Sequence, residues 1–364
     1  RSSYEGGIDL KFLKNRLGFD FTYFSSLNGP QIYALPVASS TGFAAQNVNG
    51  ITTKKVGFEI TLTGTPIKTA KFNWDINATY ATFKETLEEI YGTETGLALN
   101  NHIFKVGERM DQIYGSGFVR DGSNNIIWSG GVPLRAPTDI TNTKFLGYAN
   151  PDYTFGLGNK FSYKNISFSF QFDGRIGGSI YDGIYHDGMN GGTSIESTQG
   201  LIGAARLAEW QSTNNGTVAI TPKYIGPGVK IVSGTPKYAG GVITNLSELT
   251  FAPNDVAAKV QSVAGGSGYG GVDEYWMTSR SFIKLREINF AYSLPANALA
   301  KLKYIKGVTF SIVGRNLLYF ADRKDQDTDQ FAAGFNDADR SIQRGGILQS
   351  ATARRYGFNI NLNF

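Results

Sequence analysis

The 364-residue sequence predicts an all-β protein, and more specifically a transmembrane antiparallel up-and-down β-barrel. This chain is expected to supply the C-terminal part, about nine strands of 22, as a single barrel portion spanning 1–364. Three observations carry that expectation. Apolar and polar residues alternate over segments of about ten residues. Every second connection between those segments is long. Aromatic residues gather near segment ends, where hydrocarbon meets water.

The segments follow in order. The first, 3–13, begins with Tyr4 and leads through Ile8 and Leu10. In 17–26, Leu17, Phe19, Phe21 and Tyr23 share one face. In 52–63, Val56, Phe58, Ile60 and Leu62 alternate with Lys55, Gly57, Glu59 and Thr61. In 71–82, Phe72, Trp74, Ile76, Ala78 and Tyr80 oppose Asn73, Asp75, Asn77 and Thr79. Asn159 interrupts the apolar face of 152–162. In 166–177, Ile166, Phe168, Phe170 and Phe172 alternate with Ser167, Ser169, Gln171 and Asp173. Segment 280–293 changes phase between Leu285 and Ile288, which predicts a β-bulge. Segment 304–318 carries Val308, Phe310 and Ile312. The last, 353–364, sets Tyr356, Phe358, Ile360, Leu362 and Phe364 against Arg355, Gly357, Asn359, Asn361 and Asn363.

The short connections are 14–16, 64–70, 163–165 and 294–303; the long ones are 27–51, 83–151, 178–279 and 319–352. Up-and-down connectivity puts all the long ones at one end. Bacterial outer-membrane barrels show this asymmetry, with short periplasmic turns and long extracellular loops, and single-chain examples have an even number of strands. Nine is odd, and the chain starts almost at once inside a strand pattern. The remaining strands, and any secretory leader, are therefore expected in upstream sequence.

Composition narrows the alternatives. Charged residues make up 18 % and aromatics 13 %, too few charges for a helical bundle and too many aromatics for disorder. Without cysteine there is neither a disulfide nor a thiolate metal site. The net charge of +5 is scattered, with no basic run of the kind that binds nucleic acid. No apolar run reaches the roughly 18 residues of a transmembrane helix. A soluble lectin-like sandwich would also alternate, but its strands are usually about 5–6 residues long. The polar faces here, including Asp75, Arg355 and Asn361, suit a wet lumen. Tyr23, Tyr80, Tyr292, Tyr304, Tyr356 and Phe364 suit an interfacial girdle.

Catalytic motifs are lacking, and no enzyme activity, cofactor or metal is expected. The two histidines, His102 and His186, fall in loops, and His186-Asp187 alone is too small a ligand set for a metal. The run Gly265-Gly266-Ser267-Gly268-Tyr269-Gly270-Gly271 lacks the lysine of a phosphate loop and is expected to be flexible. Glu85 to Ile90 is expected to form a short helix or a strand extension, and 201–211 a helix. Asp325 to Asp329 is an acidic cluster without the glycine and distal glutamate of an EF-hand, and a solvated loop is expected. Loop aromatics, namely Trp128, Tyr181, Tyr185, Trp210, Tyr238, Tyr269, Tyr275 and Trp276, are candidates for contact with a ligand or a lid protein. Packing of loop on loop is the other role open to them.

Several stretches resemble the barrel of SusC/RagA-type TonB-dependent transporters: Tyr4 to Leu10, Asn15-Arg16-Leu17, Ser40-Thr41-Gly42, Asn47 to Gly50, Gly57-Phe58-Glu59, Leu146-Gly147, Pro151 and Tyr153 to Gly156. Ser281 to Ile288, followed by Tyr292 to Pro295, is the most specific match. Gly314 to Leu318 and Tyr356-Gly357-Phe358 complete it. Asp325 to Asp329, and Thr53-Lys54-Lys55, depart from the family's usual residues. The resemblance implies a 22-strand barrel in the bacterial outer membrane, an N-terminal plug outside these residues, opening by TonB, and a SusD-like surface lipoprotein as lid. The implied activity is import of oligosaccharides or oligopeptides. A surface barrel that binds or anchors a partner protein without transporting is the alternative.

Overall fold

The computed structural model describes residues 1–92, 96–99, 102–137, 139–266, 268–300, 304–324, 327–329, 344–345 and 352–364. Nine antiparallel strands pair in strict chain order: β1 (Ser2–Phe12), β2 (Leu17–Pro36), β3 (Ala45–Lys68), β4 (Phe72–Ile90), β5 (Tyr153–Tyr163), β6 (Ile166–Ile176), β7 (Phe282–Ser293), β8 (Gly307–Ala321) and β9 (Arg355–Asn363). This is the up-and-down order expected of the barrel wall. The sheet is open, with β1 and β9 as its edges, both exposed at every position. Among the described residues no helix is long and apolar enough to cross a membrane.

Period-two alternation explains the two faces. Phe168 and Phe358 are exposed on the outer face rather than buried against a second sheet. Outward rings continue from strand to strand: Phe21 against Phe58 (6.1 Å), Phe58 against Tyr80 (5.7 Å) and Tyr80 against Tyr153 (5.2 Å). Lower down, Trp74 stacks on Phe161 at 5.7 Å. Such cross-strand aromatic pairs stabilise a sheet and present a hydrocarbon-compatible surface. Asn159, the break in the apolar face, is satisfied there, because the Trp74 indole donates to its Oδ1 at 3.0 Å.

One expectation needs correction. The supposed long connection 27–51 is largely strand, since β2 and β3 run on as a hairpin to Pro36 and Ala45. The turn-forming Asn28-Gly29-Pro30 hid this. Register shifts between Asn28 and Ile32 absorb those residues and the ladder resumes. Of the two alternatives expected for Glu85 to Ile90, the strand extension is the one formed: it continues β4, with Glu85 accepting the Thr53 hydroxyl at 2.5 Å. A tilted strand crosses hydrocarbon in about 9–11 residues, so β2, β3 and β4, at 20, 24 and 19 residues, overhang it at the long-loop end. There Ile51 and Leu87 pack with Leu97, Phe104 and Met110. The bulge in β7 is present where the phase change put it: Leu285 and Glu287 pair with Phe172 and Gln171, leaving Arg286 extra.

Trp74→Phe is expected to strand the Asn159 amide against lipid at a cost of about 1–3 kcal/mol. Adding Asn159→Leu should restore stability, as read by urea unfolding of the protein in lipid vesicles.

Candidate functional site

The polar face leads to a site where the barrel wall meets the long loops. Strand register builds it row by row. One lumen-facing row runs Glu59, Ala81, Thr154, Arg175, Phe282 across β3 to β7. The next runs Thr61, Thr79, Gly156, Asp173, Lys284 and, on β8, Tyr319. Small residues in the middle of these rows hollow out a cavity of about 410 Å³ lined by Glu59, Thr79, Gly156, Asp173, Arg175 and Asp329. A second hollow of about 260 Å³, lined by Asp75, Asn77, Gly158, Lys160 and Glu287, adjoins it at Gln171. Asp75 thus lies on the polar side as expected.

An ion network closes one wall. Lys284 is 1 % exposed, and its ammonium donates to Asp327 at 2.7 and 2.5 Å and to Asp329 at 3.3 Å. The bulge aims Arg286 at Asp173, with a 2.7 Å bond from Nη2, and at Asp329, at 2.6 Å. Tyr319 stands over Lys284 at 5.2 Å and accepts the Thr328 amide at 2.9 Å. Burial acts to raise the Asp329 carboxyl, but bonds from Arg286 and the charges of Lys284 and Arg286 hold it below the ordinary 3.8. The acidic segment is therefore not a solvated loop: Asp327 and Asp329 are clamped to β7. Asp325 and Gln326 lie outside the described residues.

The loops above form a packed layer with its own core. Phe118, Trp128, Tyr181, Met189, Tyr224, Val263, Tyr269 and Trp276 are buried together. Two helices brace them, α1 (Gly183–Asn190) and α2 (Gly200–Ser212), the second being the helix expected over 201–211. Asp182 caps α1 by accepting the Tyr185 amide at 2.8 Å. Glu209 of α2, itself buried, accepts the amides of Val260 at 2.9 Å and Lys223 at 3.2 Å. Arg323, just past β8, ties the layer to the wall through Asp182 and Glu196, each at 3.7 Å, and over the Tyr185 ring at 4.4 Å. The glycine run is part of this packing rather than a flexible tether: a Cβ at Gly268 would sit 2.1 Å from the Val263 carbonyl. Ser267 lies outside the described residues.

The loop aromatics divide. Trp128 and Trp276, each 1 % exposed, and Tyr181, at 3 %, fill the loop core and show no surface to a ligand. Trp128 donates to the Pro227 carbonyl at 3.0 Å and Trp276 to that of Tyr269 at 2.7 Å. Tyr185 and Tyr275 are half-buried and stacked at 6.4 Å, and Tyr275 lies 4.3 Å from Tyr269. Burial pushes the Tyr185 and Tyr269 phenols well above their ordinary value, so both remain neutral donors. Tyr238 packs on a second loop core around Val119, Ile127 and Leu249. Trp210 alone of the set is largely exposed, at 59 %. His186 pairs with its neighbour Asp187 at 2.6 Å and lies edge-on to Trp276. Among the described residues no three His, Asp or Glu side chains gather as a metal site. Alternation alone did not single out Arg175, Lys284, Arg286 and Arg280; the phase change at Arg286 and the family-like stretch Ser281 to Ile288 were the signals pointing there.

No family model matches the chain. Curated proteins of Formosa agariphila do, among them TonB-dependent receptor P39, 20 % identical over 87 % of this chain and 31 % of its own length, and TonB-dependent receptor P3, 23 % identical over 87 % and 29 %. The chain thus spans about a third of the length of these relatives. Among solved structures, the RagAB peptide transporter superposes with a TM-score of 0.60 at 16 % identity, covering 100 % of this chain and 35 % of that one. The closed-closed state of the RagAB peptide importer gives 0.62 at the same identity and coverage. Sequence likeness is thus to TonB-dependent receptors and fold likeness to the β-barrel of the RagAB structures, in each case over about a third of those chains.

Lys284→Met should cost about 3–5 kcal/mol, since it removes the cation paired with buried Asp327. Because the folded Asp329 value is depressed, its contribution is present above 3.8 and lost as pH falls through the lower folded value. An acid-induced drop in melting temperature, reduced in Asp329→Asn, checks this. In the loop layer, Trp276→Ala should cost about 3–5 kcal/mol. Trp210→Ala should stay within about 0.5 kcal/mol, both read by hydrogen exchange of the loop amides.

Proposed function

We propose that residues 1–364 form one portion of the wall and loop layer of a TonB-dependent importer in the bacterial outer membrane. Its cargo is oligosaccharides or oligopeptides too large for passive pores. The remaining strands, the plug and the TonB-contacting segment belong to sequence outside these residues, and a SusD-like lipoprotein sits on the loops. The observation that carries this reading is the junction itself. A lipid-facing sheet with a polar, hollowed inner face is roofed by loops that pack as a folded layer and are ion-paired to the wall. A passive pore needs an open lumen, whereas large barrels of this class are plugged. The likeness to TonB-dependent receptors supports energised transport. The titratable groups of the inner face are tied into structural pairs or line the polar hollow, which suits passage rather than catalysis.

The test is uptake of labelled oligosaccharide and oligopeptide pools by cells carrying the full-length protein. One pool should enter, and deletion of TonB should abolish entry while leaving surface binding intact. Binding with no TonB-dependent entry of either pool would favour the non-transporting surface barrel.

A further inference from the structure

Among the described residues, the ion network at the lumen mouth carries more cations than carboxylates. In direct contact, Asp173, Asp327 and Asp329 face Lys284 and Arg286. Two further arginines stand beside them. Arg175, in the row above Asp173, lines the 410 Å³ cavity; its Nη1 is buried with no hydrogen-bond partner among the described residues, and its guanidinium lies 5.4 Å from the Phe282 ring. Arg280, 6 % exposed, donates through Nη1 to the Ala149 carbonyl at 2.8 Å, but its Nε is likewise buried and unpartnered. Among the described residues, four cations therefore share three carboxylates. Glu59 is the other carboxylate lining the cavity, but it sits three strands away in the same row, roughly 14 Å at the usual strand spacing. Arginine cannot shed its charge to escape burial as lysine can. Burial and the neighbouring charge of Arg175 lower the Arg280 value to about 10, with Asp329 only partly offsetting them.

We propose that the lumen mouth is a binding site for one carboxylate group of the cargo, held by Arg175 with Arg280 behind it. A carboxylate matches the planar donor fork of arginine and would supply the missing negative charge. The group is either the free C-terminus or acidic side chain of a peptide, or a uronate of a glycan. Calling the ligand a cargo rests on the transport reading; the site itself does not.

The experiment measures binding to the full-length protein in detergent by calorimetry, with two probe pairs. The first is N-acetyl-tetra-alanine with a free carboxylate against its C-terminal amide. The second is tetra-galacturonate against its methyl ester. In at least one pair the acid should bind tenfold or more tightly, and the pair that discriminates identifies the source of the carboxylate. Arg175→Gln should erase the ratio and Arg175→Lys retain part of it. Equal binding within both pairs, no binding of any probe, or discrimination that survives Arg175→Gln overturns the site, the last because the carboxylate is then read elsewhere. Should Arg175→Gln fail to fold, the wild-type protein decides: acetate should raise the melting temperature above that in chloride at equal ionic strength, and equal temperatures overturn the proposal. No TonB is present, so a protein that discriminates yet never imports keeps the site and loses the transport reading, and the converse holds.

Discussion

Hydrocarbon offers no partner for a backbone N–H or C=O, so a chain that crosses it in extended form must pair every such group with a neighbouring strand. The rest of this structure follows from that constraint. It demands the continuous ladder of β1 to β9, it turns each strand into two faces with a period of two, and it hands one face to lipid and the other to water. The same rule applies to side chains. Asn159 on the lipid side is tolerable because Trp74 brings it a donor, and Trp74 is tolerable because Asn159 gives its indole an acceptor.

Above the membrane the constraint changes, and so does the construction. The overhanging strands and the long loops meet water, where polar backbone is cheap to expose but ordering a long loop costs conformational entropy. The chain offsets that cost with an apolar interior of its own. Indoles and phenols provide large buried areas while their N–H and O–H groups find partners, as Trp128, Trp276 and the Tyr224–Tyr269 hydroxyl pair at 3.3 Å do. Close backbone approach completes the packing. Gly226 lies on the Trp128 ring so tightly that a Cβ there would sit 1.9 Å from it.

How much of this was legible in the sequence depended on how local the signal was. The nine strands and their order were legible because alternation is a property of neighbouring residues. The bulge at Arg286 was legible for the same reason. The overhang was not, because Asn28-Gly29-Pro30 carries the local signature of a turn and only pairing with β3 turns it into strand. The site was the least legible part. Trp128 and Trp210 are the same residue type in loops of similar polarity, yet one is core and the other surface, and that difference is made by contacts distant in sequence. Asp327 looked solvated because its partner Lys284 is 43 residues away on the wall.

The position of the ion network joins these two regimes. A charge buried without a partner is costly in proportion to how little water reaches it, and at the lumen mouth, beneath the packed loop layer, Lys284 is 1 % exposed. Lys284, Arg286 and their carboxylates lie there rather than lower down, where Glu287 and Arg315 pair in a more open setting at 2.8 Å. Strong pairing at this level ties the chain after β8 to β7 through Asp327 and Asp329, and ties the loop layer to β8 through Arg323. The wall and its roof are therefore joined through these charges. Rigid strands carry the network, so a change of partner there would reach the loops without any change in the lipid-facing surface.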